Sequence, residues 1–216
     1  MMPARELLQL PNLVSLSRIL LAPIIGYLLW IEGEHTPLLV VILMAVAGIT
    51  DGLDGYLARR MGQVSRLGIA LDPIADKIFA GLLVIILVYF RDFPIWLAAF
   101  ILGRDLLIVA LGAVLMRGRE LTLPSNLTGK YAFGCIAVLL TSYVIRFPFG
   151  ITVLTWLTVI LLVASTINYA RVFVAVRRGL APTLFKDRPV YRNGRSLVTW
   201  SLSLWYLAEL YRHLWG

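Results

Sequence analysis

Asp51-Gly52-Leu53-Asp54-Gly55-Tyr56-Leu57-Ala58-Arg59 is followed, after a short basic stretch, by Gly68-Ile69-Ala70-Leu71-Asp72-Pro73-Ile74-Ala75-Asp76. The two runs lie where two long apolar segments meet. Carboxylates at bilayer depth are costly unless they are paired or hold a metal, so acids in such a place mark a functional site. The chain has twelve acidic residues in all, and four of them, Asp51, Asp54, Asp72 and Asp76, are here. On helices, residues three or four apart share a face. Asp51 with Asp54 and Asp72 with Asp76 therefore form two acidic pairs, one on each of two helices. A turn over Met61–Arg66, loosened by Gly62, sets the helices side by side with the pairs facing each other.

Outward from this junction the chain is apolar. Hydrophobic residues make up 60% of it and mean hydropathy is +0.85, above the 45–50% or so of soluble domains. Six segments are long enough to cross a bilayer: Leu13–Ile31, Pro37–Leu57, Gly68–Phe90, Pro94–Met116, Thr128–Ile145 and Ile151–Val174. The first is longer than a signal-peptide core and lacks a small-residue cleavage site, so it reads as a span. The single cysteine, Cys135, excludes an internal disulfide framework and reads as a small buried apolar residue. With no CxxC and no histidine cluster, a zinc site is not expected.

The fold expected is an all-α membrane protein with six transmembrane helices, an N-terminal interfacial segment over residues 1–12 and a C-terminal interfacial helix. The net charge of +8 follows topology rather than a nucleic-acid-binding stripe. Arg59, Arg60 and Arg66 fall in one link, and Arg117, Arg119 and Lys130 around another. The link Glu32–Thr36 carries none. The positive-inside rule then places both termini and the aspartates on the cytoplasmic side. A membrane domain over 1–178 is expected to precede a tail over 179–216. That tail ends in an aromatic run, Ser196–Trp215, whose uncharged part is short for a span and suits the headgroup level; a seventh span is the alternative.

Four converging carboxylates do not all stay charged without a cation. Mg²⁺ or Mn²⁺ suits an all-oxygen site, and two such ions stabilise the attacking and leaving oxygens of an in-line phosphoryl displacement. Gly52, Gly55 and Ala58 strip one side of their helix, so that a bulky group can lie against the backbone. Arg59, one turn on, can pair bidentately with phosphate. Taken singly, small residues also serve helix packing, and an Asp–Arg pair can be self-neutralising. The whole pattern D-x2-D-G-x2-A-R-x8-G-x3-D-x3-D fixes eight residues. At roughly 6% usage each, it recurs by chance on the order of once in 10⁹–10¹⁰ windows, which favours a site.

These residues resemble the signature of the CDP-alcohol phosphatidyltransferase family at every fixed position. The resemblance covers residues 1–178 and implies attack by an alcohol hydroxyl on the phosphate of a CDP-linked lipid, with release of CMP. It makes Asp51, Asp54 and Asp72 metal ligands, and Asp76 both general base and ligand. Gly55, Arg59 and Ser65 fall where the family contacts the CDP moiety, and Ala58 and Gly68 join them as candidates for binding the CDP-lipid. It also implies a homodimer in the bacterial inner membrane.

Pro11-Asn12-Leu13-Val14-Ser15-Leu16-Ser17-Arg18 and Leu71-Asp72-Pro73-Ile74-Ala75-Asp76-Lys77 resemble the phosphatidylglycerophosphate synthase branch and the related CDP-dependent cardiolipin synthases. Asn12 and Ser15 are placed to orient headgroup or nucleotide; a helix cap with a snorkelling Arg18 is the alternative. The partners expected are CDP-diacylglycerol and a small phosphorylated alcohol, glycerol 3-phosphate. As a dianion, that acceptor needs bases, for which Arg104, Arg117, Arg119 and Lys130 are the candidates. Arg104 can instead pair with Asp105, and Arg117 and Arg119 can serve topology alone. A cation transporter is the reading from another class; it predicts acids near midplane on several helices, whereas these gather at one end.

Overall fold

The computed structural model describes the backbone of residues 10–60, 66–116, 127–178 and 203–213, and their side chains except for 10–14, 51–73 and 112–116. The described residues form seven helices and no strands. These are α1 (Leu10–Ile31), α2 (Thr36–Arg60), α3 (Arg66–Phe90), α4 (Ile95–Met116), α5 (Leu127–Val144), α6 (Pro148–Arg177) and α7 (residues 203–213). Of the expected lead-in over 1–12, residues 1–9 lie outside the described residues and 10–12 belong to α1 instead; of the tail over 179–216, residues 179–202 and 214–216 lie outside them. Two compact units are present: Met1–Leu102 with Tyr143–Ile145, and Gly103–Ser142 with Arg146–Gly216.

In the first unit α1 packs against both α2 and α3. Its buried face is the helical stripe Ser15, Arg18, Ala22, Ile25 and Leu29. It meets Val40 and Ala47 of α2 and Ala75, Leu83, Val84 and Leu87 of α3 in one core. Gly26 of α1 faces α3, where a Cβ would make ordinary contact with Ile86 at 3.4 Å. At the far end the two links are clasped. Arg91, buried after α3, donates to Glu32 Oε1 at 2.8 Å, after α1.

The short links end their helices by one device. Glu32, Asp92 and Arg146 hold φ of 36°, 53° and 53°, the left-handed region that terminates a helix. After Arg146 the Phe147 amide donates to Ser142 O at 2.9 Å, a Schellman closure. Pro148 then opens α6, where a missing N–H costs nothing.

In the second unit α6 buries Leu154, Thr158, Leu162 and Ser165 along one stripe, and α5 supplies Ala132, Ile136, Leu139 and Leu140. The Thr158 hydroxyl donates to Cys135 Sγ at 3.3 Å, and the cysteine is half-buried where full burial was expected. Gly150 seals the α5–α6 corner: a Cβ there would stand 2.5 Å from Phe147 Cδ1 and 2.8 Å from Ser142 Oγ. Gly150→Ala is therefore expected to cost about 1–3 kcal/mol by overpacking. A lower unfolding temperature in detergent checks this, and an unchanged one contradicts it.

The C-terminal helix differs from expectation. Its described part, residues 203–213, falls within the expected Ser196–Trp215 and seats itself on that same corner. Tyr206 and Trp205 meet Phe147 and Phe149 edge-on at 5.5 and 4.9 Å. The Tyr206 hydroxyl bonds with Ser142 at 2.9 Å. Burial pushes the Tyr206 phenol above its ordinary value, with the Ser142 bond opposing. α6 has 30 residues, about 45 Å of helix, and the tail leaves from its other end at Arg178. The sequence placed this helix on the side where α6 ends; aromatic packing holds it instead at the side where α6 begins.

Outward faces are strongly apolar. Trp30 is 69% exposed and Trp156 is 65% exposed, with Leu20, Leu38, Ile49, Leu106 and Ile160 alongside. Water does not tolerate such a surface, whereas lipid does. Among the described residues α5 and α6 are long and apolar enough to cross a membrane, and Ser15–Ile31 and Thr36–Thr50 are shorter apolar helices.

Candidate active site

The pattern of four aspartates lies on helix almost throughout. α2 stays helical through Arg60, so Asp51, Asp54, Gly55, Ala58 and Arg59 sit on its last turns. α3 starts at Arg66 and carries Gly68, Asp72 and Asp76 in its first turns. This is the helix-link-helix that the spacing predicts, and it sets the register of each pair: Asp51 and Asp54 one turn apart on α2, Asp72 and Asp76 one turn apart on α3. The side chains of Asp51, Asp54, Gly55, Ala58, Arg59, Gly68 and Asp72 lie outside the described residues. So does Ser65 entirely. Among the described residues no three acidic, histidine or cysteine side chains form a metal-binding group.

Asp76 is described, and its neighbour is new. Arg18 of α1 donates from a terminal guanidinium nitrogen to Asp76 Oδ1. Arg18 is only 2% exposed, while the Asp76 side chain is 23% exposed. The alternative of an Arg18 stretched toward the headgroups is thus not realised: it points into the bundle and supplies a countercharge. Burying a guanidinium in this core is tolerable only with such a partner. Ser15 is buried one turn earlier on the same face, and Asn12, one turn earlier again, shares its register. The signal for Arg18 was present in the sequence, since it falls on the Ser15–Ala22–Ile25–Leu29 stripe. Which α3 residue it meets was not.

The second unit holds the other described candidates. Arg104 of α4 pairs with Asp105 Oδ1 at 2.5 Å, the pairing the sequence allowed. It also donates to the hydroxyl of Ser165 on α6. Its guanidinium lies over the Tyr169 ring, 5.6 Å from the centroid. Ser165 and Tyr169 had no signal in the sequence, because a Ser and a Tyr one turn apart in an apolar span are common. Beside them Asn168 donates to Thr128 of α5 at 3.2 Å. Lys130 is exposed on the first turn of α5. Arg117 and Arg119 lie outside the described residues.

The chain is similar to known proteins. A family model described as CDP-alcohol phosphatidyltransferase matches residues 8–167. Over 129 residues the chain is 43% identical to a cardiolipin synthase (CMP-forming) of Rattus norvegicus, covering 59% of this chain and 41% of that protein. The Drosophila melanogaster protein named probable cardiolipin synthase (CMP-forming) is 42% identical over 120 residues, 55% of this chain and 35% of that protein. The chain thus spans well under half the length of these two relatives. A CDP-diacylglycerol–glycerol-3-phosphate 3-phosphatidyltransferase of Aquifex aeolicus is 32% identical over 162 residues, 74% of this chain and 89% of that protein.

Proposed function

We propose that the chain, which belongs to the CDP-alcohol phosphatidyltransferase family, moves the phosphatidyl group of CDP-diacylglycerol onto sn-glycerol 3-phosphate, giving phosphatidylglycerophosphate and CMP. The observation that carries the reaction type is the aspartate pattern, divided between the end of α2 and the start of α3. The acceptor is supported by the match running along nearly the whole of the Aquifex aeolicus enzyme.

Asp51, Asp54, Asp72 and Asp76 offer only oxygen donors, the set that Mg²⁺ or Mn²⁺ takes, and these four residues would hold a pair of ions. When bound, the metal neutralises the carboxylates and offsets charge on the transferring phosphate. In the proposed reaction Asp76 takes the proton of the acceptor hydroxyl. The hydroxyl oxygen attacks the lipid-bearing phosphorus, a new P–O bond forms, and the P–O bond to CMP breaks. Arg18 keeps the Asp76 side chain turned toward α1. Asn12, Ser15, Gly55, Ala58, Arg59, Ser65 and Gly68 bind the CDP-lipid. Arg104, Arg117, Arg119 and Lys130 draw the acceptor phosphate.

α1 to α6 are read as six spans, with the α2–α3 link on the cytoplasmic side of a bacterial inner membrane. The clustering of bases in alternate links supports that orientation. A homodimer is expected from the family.

A second reading takes phosphatidylglycerol as acceptor, making the product cardiolipin; the higher identity to the rat enzyme favours it. Purified protein incubated with CDP-diacylglycerol, Mg²⁺ and each labelled acceptor separates the two. Product with glycerol 3-phosphate is expected. Product with phosphatidylglycerol alone would install the second reading.

A further inference from the structure

We infer that Ser165 and Tyr169 of α6 are positioning residues that hold the Arg104 guanidinium as a seat for the acceptor's phosphate; this rests on the phosphatidyl-transfer reading above. Three neighbours fix the guanidinium. Asp105 Oδ1 takes one terminal nitrogen at 2.5 Å, the Ser165 hydroxyl takes the other, and the Tyr169 ring lies under the plane at 5.6 Å. Ser165 is fully buried, so its hydroxyl cannot trade this bond for water. Gly129 of α5 lies against the group, and a Cβ there would meet it at ordinary contact distances, 3.5 Å from Ser165 Oγ, 3.6 Å from the Arg104 terminal nitrogen and 3.8 Å from Tyr169 Oη. One residue from α4, one from α5 and two from α6 therefore meet at a single cation.

A guanidinium carries five N–H donors in a rigid fork. Those held by Asp105 and Ser165 leave Nε–H, which is buried with no partner, and one hydrogen on each terminal nitrogen. Nε–H and its neighbouring terminal N–H form a side-on pair whose spacing matches two oxygens of a phosphate. A guanidinium kept only to tie helices together would have no use for that edge. Free rotation of the long side chain would blur it, and the serine and the tyrosine ring prevent that rotation. The residues thus act through Arg104, by removing alternatives before the ligand arrives.

Kinetics with the full-length enzyme test this, using glycerol 3-phosphate in one arm and phosphatidylglycerol in the other. Both acceptors carry phosphate, and the arm that turns over is the one read. Ser165→Ala and Tyr169→Leu are expected to raise the acceptor KM about 5- to 20-fold, with the KM for CDP-diacylglycerol within about twofold, a loss on the order of one hydrogen bond to a charged group. Ser165→Thr and Tyr169→Phe, which keep the hydroxyl and the ring, restore most of it. Equal rises in both KM values, or a fall in unfolding temperature without a change in acceptor KM, overturn the inference. If Ser165→Ala does not fold, the Tyr169→Leu and Tyr169→Phe pair decides alone. Arg104→Gln separates the levels. A raised acceptor KM there, with none in the Ser165 and Tyr169 variants, removes the positioning role and leaves Arg104 as a ligand. An unchanged one removes the seat altogether. No turnover in either arm by the unaltered protein removes the phosphatidyl-transfer reading, and the inference with it.

Discussion

Asp76→Asn is expected to lower phosphatidyl transfer by about 10²–10⁴-fold, the usual contribution of a positioned proton acceptor. At 25 °C a loss of 10³-fold corresponds to about 4 kcal/mol of transition-state stabilisation. Asparagine keeps the size of the side chain and a carbonyl oxygen that can still accept from Arg18. It cannot take a proton from the acceptor hydroxyl. The fold should persist, because the Asp76 side chain is 23% exposed and Arg18 has further interactions besides this pair. Single-turnover release of CMP, measured beside CDP-diacylglycerol binding, separates the two effects. A variant that binds lipid normally and releases no CMP fits a base. Unaltered turnover would remove Asp76 from that role.

Asp51→Asn acts earlier in the cycle. Asp51 lies on α2, one turn before Asp54, and the family resemblance assigns it to the proposed metal-binding set. Losing one carboxylate weakens the charge that holds a divalent cation. Since changes even in outer-shell partners cost about 10–100-fold in metal affinity, at least that shift is expected in the Mg²⁺ titration midpoint. CDP-diacylglycerol binding should weaken with it, because Mg²⁺ commonly completes its shell with substrate phosphates. The two variants are told apart at saturating Mg²⁺, where Asp51→Asn is expected to recover much of its CMP release and Asp76→Asn, lacking the proton acceptor, is not. An unmoved midpoint in Asp51→Asn would contradict its role as a ligand.

Helices and their junctions were readable from the chain because apolar runs, glycines and prolines act locally. α2 ends at Arg60 and α3 begins at Arg66, either side of the link that Gly62 and the basic residues announce. Arg104 shows where local reading stops. Its pairing with Asp105 is a neighbour effect and was foreseeable, whereas Ser165 lies sixty-one positions away. The aromatic tail shows the same limit. Its composition named an interfacial helix, but Phe147 and Phe149, which decide where it sits, belong to a distant turn.

What the sequence determined by itself is therefore the chemistry class. Two acid pairs at helical spacing, with Gly55, Ala58 and Arg59 between them, depend only on the 3.6-residue turn, and that period is written in the chain. Tertiary structure alone decided that Arg18 faces Asp76, that Ser165 and Tyr169 enclose Arg104, and that residues 203–213 rest on the α5–α6 corner. Those contacts join helices far apart in sequence, and each is fixed by packing between faces that are equally apolar when read one at a time.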